Sequence, residues 1–462
     1  MTDLPSERRS WPRRLLNRME VDRAVFYAIA SRGWQFLAGP ITILMIASYF
    51  TKEVQGYFYT FGGVVALQMF FELGFPQVII NFASHEWGKL ALADDGSIEG
   101  DADALSRLSS LFRASMICFA AVTVVLALTI LVVGWIMFSR DEHSDAVNWK
   151  APWIALSILS AIGFSLSPTL IVLEGCDQVR NVYKMQFVRA VLGNLAVWVA
   201  IPLGAALWTP VIATVVRLVC ECYFIFVPYR KFFRAVSSRP TGPVLNWRRD
   251  IWPFQWRIGF RGLFSYFSAS LMSPIVFVYQ DAVAAGQFGL VWQVLNAIYG
   301  ACGAWVRTRM SKMGTLVAKR EFQELDRMFY RVSTIGLSVM VATCITFVVF
   351  DWALYYFNSP YATRMLTPLP TICLAFGMTA AMAMEYQGLY MHAHQRSPFL
   401  VTGIACATAS GLLIWWWGAW FGVLGVAVAF FTMNMLINLP LWTYLWHRFR
   451  REYYHQLGSS EI

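Results

Sequence analysis

Apolar residues in this chain do not return at helical or strand spacing. They run on in blocks of about 20 residues or more, interrupted by short polar stretches. Twelve such blocks can be read, at about 25–50, 56–81, 111–138, 151–174, 185–207, 210–229, 259–280, 287–309, 332–355, 367–391, 397–418 and 421–446. A block of that length crosses the hydrocarbon core of a bilayer as a helix, because no water is there to bond the backbone. The pattern therefore predicts an all-α polytopic membrane protein of about twelve transmembrane helices, with no room for a separate soluble domain. The first block is too long for a signal-peptide core and has no small-residue cleavage site after it, so the N-terminus is expected to stay attached.

Composition agrees, with 58% hydrophobic residues, 14% charged and a mean hydropathy of +0.51. The polar breaks set the orientation. Of the 37 lysines and arginines, 31 fall in segments and span ends on the side of the N-terminus. Lys52, Arg140, Lys150 and Arg364 fall on the other, and Arg32 and Arg217 lie within spans. That asymmetry over short loops predicts both termini in the cytoplasm. The net charge of +10 is then a topology signal, and no nucleic-acid partner is expected. Tryptophans near span ends, among them Trp208, Trp352, Trp442 and Trp446, fit interfacial belts. The eight cysteines lie in or beside spans with no CxxC pair and read as small apolar residues rather than a disulfide or metal framework.

External loops are short, the longest being 139–150. The 84–109 loop, rich in Asp and Gly, reads as a flexible solvated linker. A basic stretch with prolines and tryptophans, 231–256, falls at the midpoint and suits the anionic inner leaflet. The boundaries expected are a cytoplasmic segment 1–24, a six-helix bundle 25–230, the connector 231–256, a second six-helix bundle 257–447 and a cytoplasmic tail 448–462. Sliding the first half by about 230 residues sets Gln55-Gly56-Tyr57-Phe58 on Ala285-Gly286-Gln287-Phe288, between the first and second span of each half. Two halves entering from the same side are related by an axis along the membrane normal.

The run Arg32-Gly33, Gly39-Pro40, Ala47-Ser48-Tyr49-Phe50, Gln55 to Phe61 and Phe71-Glu72-Leu73-Gly74-Phe75, then Phe82 to Trp87, resembles the opening two helices of bacterial polysaccharide-export proteins of the Wzx type. Leu173 to Val179 and Gly286 to Val294 fit the same resemblance. It implies membership of the wider superfamily of lipid II flippases and multidrug extruders, with two pseudo-symmetric bundles forming a V-shaped alternating-access transporter. The implied task is flipping an undecaprenyl-pyrophosphate-linked oligosaccharide (an O-antigen, capsule or exopolysaccharide repeat unit) across the bacterial inner membrane. The implied partners are that lipid-linked substrate, the bilayer and other polysaccharide-assembly membrane proteins.

Charges inside the apolar blocks are the candidates for chemistry, since a charge at membrane depth usually faces a wet cavity or a partner. Arg32, about two turns into the first span, is a candidate for binding a diphosphate bidentately; the open alternative is a structural pair with Glu72 on the second span. Arg217 and Glu221 are four apart on the sixth span and read as an intrahelical ion pair. Arg257 and Arg261, with Arg307 and Arg309, could ring the mouth of the second half, or could be ordinary positive-inside flanks. Glu385, with no basic neighbour in its own helix, is a candidate proton carrier or a hydrogen-bonded structural group. Asp281 and Asp351 read as solvated outer-end residues.

No cofactor is expected, although proton or sodium coupling fits. His392-Ala393-His394 does not make a metal site, because positions two apart face different ways on a helix. No GxxxxGK[ST] loop is present for nucleotide. A cation-coupled multidrug extruder of the same fold is the alternative function, though no Asp lies in the first span and the buried cations suit an anion. A membrane enzyme of polysaccharide assembly fits less well, since such enzymes present catalytic groups on larger external loops.

Overall fold

The computed structural model describes residues 23–72, 74–93, 96–141, 145–245, 272–307, 309–394 and 400–458. The chain is helical nearly throughout. The first half holds α1 (Arg23–Tyr49), α2 (Lys52–Val65), α3 (Gln68–Glu72), α4 (Phe75–Trp87), α5 (Ala102–Ser139), α6 (Lys150–Gly175), α7 (Val179–Ala200), α8 (Thr209–Phe226) and the short α9 (Arg230–Val236). The second holds α10 (Met272–Tyr279), α11 (Ala282–Arg307), α12 (Met310–Ala318), α13 (Phe322–Tyr356), α14 (Pro368–Ala393), α15 (Leu400–Phe431), a π-helical stretch (Thr432–Asn438) and α16 (Leu439–Gly458). Five of these helices, α5, α6, α8, α13 and α14, and the continuous stretch Thr402–Glu452 that runs from α15 into α16 are each long and apolar enough to cross a membrane, and the bent α2–α4 segment makes a seventh. Three more, α1, α7 and α11, have the length at 27, 22 and 26 residues but carry more polar groups. On α5 the outward residues are apolar and bare, Ile117 at 70% and Val124 at 61% exposure, as a lipid-facing surface requires.

The two halves repeat one packing scheme. In the first, α1 lies along α7, α7 along α8, α5 along α6, and α4 against both α5 and α6, with α6 also against α8. In the second, α10 lies along α15, α13 along α14, and α11 against both α13 and α14, with α14 also against the π-helical stretch and α16. Helix α1 runs parallel to α7: Tyr27 meets Phe187, while Ile46 and Phe50 cluster with Val197 and Ile201.

The halves join where α2 crosses α11, at the end of the bundle opposite the basic flanks. The two segments matched by sliding the sequence meet face to face here. A Cβ on Gly56 would fall 1.7 Å from the Ala282 carbonyl oxygen, and one on Gly286 would fall 2.8 Å from the Gly56 nitrogen. Only glycine allows backbones this close. Gln55, fully buried, donates to the Gly286 carbonyl at 3.0 Å and accepts from Arg364 at 3.3 Å, which ties the crossing to the loop before α14. Tyr57 packs edge-on to Phe277 at 5.1 Å, and Phe138 does the same at 5.3 Å.

Several expectations need correction. The second span is not one helix: α2 ends at Val65, α3 is five residues long, and α4 starts after Gly74, whose φ of +71° needs no Cβ, giving a 46° bend. The 84–109 loop is not a free linker. Leu90–Leu92 and Ile98–Gly100 pair as an antiparallel hairpin, and Asp101 caps α5 by accepting from the Asp103 amide. At 38 residues α5 is about 57 Å long, so it continues well past a bilayer core of about 30 Å. Part of the midpoint connector is anchored: Ser106 and Ser110 of α5 accept from the Gly242 and Leu245 amides. The rest of it, 246–256, lies outside the described residues. The fifth span begins at Val179 rather than near 185, which moves Arg189 from a flank to the middle of a helix.

Candidate functional site

In the middle of the first half, Arg217 and Glu221 pair as their spacing on α8 predicts, Nε to Oε1 at 3.0 Å. The pair is in fact a triad. Arg189, from the centre of α7, binds the same Glu221 oxygen through Nη1. Glu221 is 1% exposed, while the Arg189 and Arg217 side chains are 26% and 39% exposed. One buried carboxylate thus anchors two guanidiniums that still present N–H groups outward. Gly163 on α6 lies beside the pair, where a Cβ would stand in ordinary contact 3.9 Å from Arg217 Nη2. Glu72, at the break of the second span, lies close enough to Arg217 to be attracted by its charge. Sequence reasoning missed Arg189 because a cation near an expected span end looks like a flank. Its spacing from Phe187 and Trp198, which face α1, could have placed it inside the helix.

The Arg32 side chain, and with it the expected pairing with Glu72, lies outside the described residues. Its helix packs on α7, with Trp34 beside Trp198 and Thr42 accepting from the Trp198 ring nitrogen. Arg257 and Arg261 also lie outside the described residues.

In the second half, Glu385 on α14 is not without a cation. Arg307, at the end of α11, reaches it with Nε at 2.8 Å and Nη2 at 2.7 Å, and Tyr299 bonds to it as well. The guanidinium folds back over Gly303, where a Cβ would meet Nη2 at 2.7 Å. Arg307 is therefore neutralised rather than a free member of a positive ring, and the partnerless proton carrier expected at Glu385 is not found. Beside this pair, α11, α14, α15, the π-helical stretch and α16 line an open cavity of about 550 Å³. Asp351 was expected to be solvated, yet it is 2% exposed; Thr371 bonds to it, while Oδ2 has no partner among the described residues. His394 is buried with Nδ1 2.9 Å from the Tyr390 carbonyl, and no cluster of three metal-ligating side chains occurs among the described residues. The cysteines are unpaired thiols.

No protein-family profile and no curated relative matches the sequence. Solved structures do match in fold. The chain superposes on an inward-facing multidrug resistance MATE family transporter of the MOP superfamily with a TM-score of 0.58, at 16% identity over 90% of this chain and 94% of that one. It superposes on the lipid II flippase MurJ in an inward closed conformation with a TM-score of 0.59, at 13% identity over 91% and 87%. An outward-facing MATE family transporter gives 0.52, at 15% identity over 93% and 94%. At such identities the shared property is the fold. It is an all-α polytopic transporter fold, common to multidrug extruders and a lipid flippase.

Proposed function

We propose that the protein flips a lipid-linked oligosaccharide carrying a diphosphate, by alternating access across the bacterial inner membrane, with its basic end and both termini in the cytoplasm. The observation that carries this reading is the guanidinium pair on Glu221. Glu221 occupies Nε of Arg217 and Nη1 of Arg189, and each guanidinium has five N–H donors in a planar fork. The remaining donors suit phosphate oxygens bidentately, while the buried carboxylate fixes the spacing of the two heads. Glu72, at a break in the second span, lies where discontinuous helices of transporters hold their ligands. The α2–α11 crossing, sealed at the end opposite the basic flanks, fits a state closed on the outer side. The higher TM-score on an inward-facing than on an outward-facing neighbour, 0.58 against 0.52, supports that assignment.

A multidrug extruder of the same fold is the competing reading, and the similarity to MATE transporters favours it equally. An organic cation, however, needs an uncompensated carboxylate. Glu221 and Glu385 are each bonded to an arginine and Glu72 feels the charge of Arg217. That leaves Asp351 as the buried carboxylate without a cation among the described residues, on which that reading would have to rest.

The test is binding of farnesyl diphosphate, with farnesol as control, to the full chain in nanodiscs. Binding that falls about tenfold or more in Arg217→Gln and is partly kept in Arg217→Lys is the expected result. Equal binding of farnesol and its diphosphate, or tight binding of tetraphenylphosphonium in their place, would overturn the reading.

A further inference from the structure

The halves share a packing scheme, but their last long helices carry different chemistry. In the first half the inward pair four residues apart is Arg217 and Glu221. In the second it is Asn434 and Asn438, in the π-helical stretch. A π-helical turn inside an α-helix is rare and frequently marks a functional position. Here it sends Leu436 and Ile437 outward, 60% and 46% exposed, and turns both amides toward the 550 Å³ cavity.

Inside that cavity two polar groups are left without partners. Asn438 is 9% exposed; its Nδ2 donates to Ser410 at 3.2 Å, while its Oδ1 accepts nothing from the described residues. Trp442, one helical turn on, has a buried Nε1–H with no acceptor among them. A buried amide oxygen and indole N–H each cost free energy when left unbonded, so the site is built for a ligand that supplies both a donor and an acceptor. A hydroxyl does both. The walls are Trp292, Trp442, Phe430 and Tyr299, flat apolar faces of the kind that pack on ring C–H groups. Among the described residues that line the cavity Glu385 is the only charged one, and Arg307 pairs with it, so this lining favours neither anions nor cations. Aromatic walls, neutral amides and unmet hydroxyl-type valences together define the ligand class.

We infer that this cavity in the second half is a saccharide-binding site, taking one or two neutral sugar rings. The inference rests on the flippase reading for its substrate: the first half holds the charged diphosphate while the second holds the uncharged glycan. The volume falls within the range of small-ligand pockets, about 300–1,000 Å³. The two ends of one amphiphile are thereby divided between two lobes whose closure must be concerted.

The test uses free lactose and N,N′-diacetylchitobiose, which carry neither lipid nor phosphate, on the full chain in nanodiscs free of maltoside detergent. Saturation-transfer NMR reads weak binding directly. Saturable binding of at least one disaccharide is expected, with affinity about tenfold lower in Trp442→Phe, which keeps the ring and removes the donor, and in Asn438→Leu, which keeps the size. Should Asn438→Leu not fold, Trp442→Phe decides alone. No saturable binding, or binding indifferent to the substitutions that fold, would overturn the site, as would tetraphenylphosphonium occupying it in an Asn438-dependent way. Farnesyl diphosphate binding is measured on the same samples. Its failure with sugar binding intact would remove the diphosphate reading and leave the cavity assigned, whereas the opposite pattern would remove the cavity and leave the diphosphate site.

Discussion

Replacing Gly56 by alanine tests whether the α2–α11 crossing is the outer gate. The added Cβ would lie 1.7 Å from the Ala282 carbonyl oxygen and 2.5 Å from its carbon, whereas ordinary contact begins at 3.4 Å. The obstacle is backbone within a helix, so no rotamer change relieves it, and the two halves must part by roughly 1.7 Å at that end. Overpacking of a tight contact costs about 1–3 kcal/mol. Because the strain exists only in the state closed at this end, it enters the equilibrium between closed and open in full, a shift of about 5- to 150-fold. Gly286→Ala, whose Cβ meets the Gly56 nitrogen at 2.8 Å, should shift it less. Gly62→Ala, on the same helix with nothing within 4 Å, should shift nothing and stabilise α2 by about 1 kcal/mol. The assay is double electron–electron resonance between labels on Arg140→Cys and Phe357→Cys, one exposed on each half, after replacing the eight native cysteines. A longer-distance population ordered Gly56→Ala, Gly286→Ala, Gly62→Ala is expected. Identical distance distributions for Gly56→Ala and the parent would refute the gate.

Glu221→Gln removes the only described counter-ion shared by Arg189 and Arg217 and should cost about 3–5 kcal/mol, read as a large drop in thermal midpoint; Arg217→Gln, which leaves Arg189 holding Glu221, should cost less. Asp351, buried with Oδ2 unpartnered and no cation within bonding reach among the described residues, is the better candidate than Glu385 for the coupling carboxylate, since Arg307 holds Glu385. One charge crossing the potential is worth about 2.3 kcal/mol per 100 mV, so Asp351→Asn should abolish the response of transport to an imposed pH gradient in proteoliposomes; an unchanged response makes Asp351 structural. Val244→Cys, 63% exposed beside the anchored connector, should react with impermeant maleimide only in inside-out vesicles, and labelling of intact cells would reverse the orientation.

What was legible in the sequence is what depends on one helix at a time. Long apolar runs marked an all-α membrane chain, of which six helical stretches and a bent seventh segment are long and apolar enough to cross a bilayer, and the i, i+4 spacing gave the Arg217–Glu221 contact. The match of Gln55–Phe58 to Ala285–Phe288 marked two segments that turn out to touch each other. What depends on two helices was not legible. Arg307 and Glu385 are 78 residues apart, and Arg189 and Glu221 are 32, with no spacing rule linking either pair. The break in the second span also escaped, because Ala66, Leu67 and Leu73 are apolar and keep the run unbroken while the backbone changes direction. The cavity amides were invisible for another reason: Asn434 and Asn438 are neutral, so they do not stand out against an apolar span as charges do.

Gly422, with φ of +58°, turns the chain from the eleventh span into the twelfth almost without a loop. Gly425 then passes so close that a Cβ there would lie 2.0 Å from the Trp417 carbonyl oxygen, and the Gln280 side chain accepts from the Val423 amide. These two spans are consequently a single helical hairpin as far as biogenesis is concerned. They must enter the bilayer together, since neither has a hydrophilic segment on which to pause at the far surface. The same turn offers proteases, antibodies and inserted epitope tags almost no chain to grasp. Tags placed at residues 420–424 should therefore block membrane integration itself, whereas tags in the 139–150 loop of the first half should be tolerated.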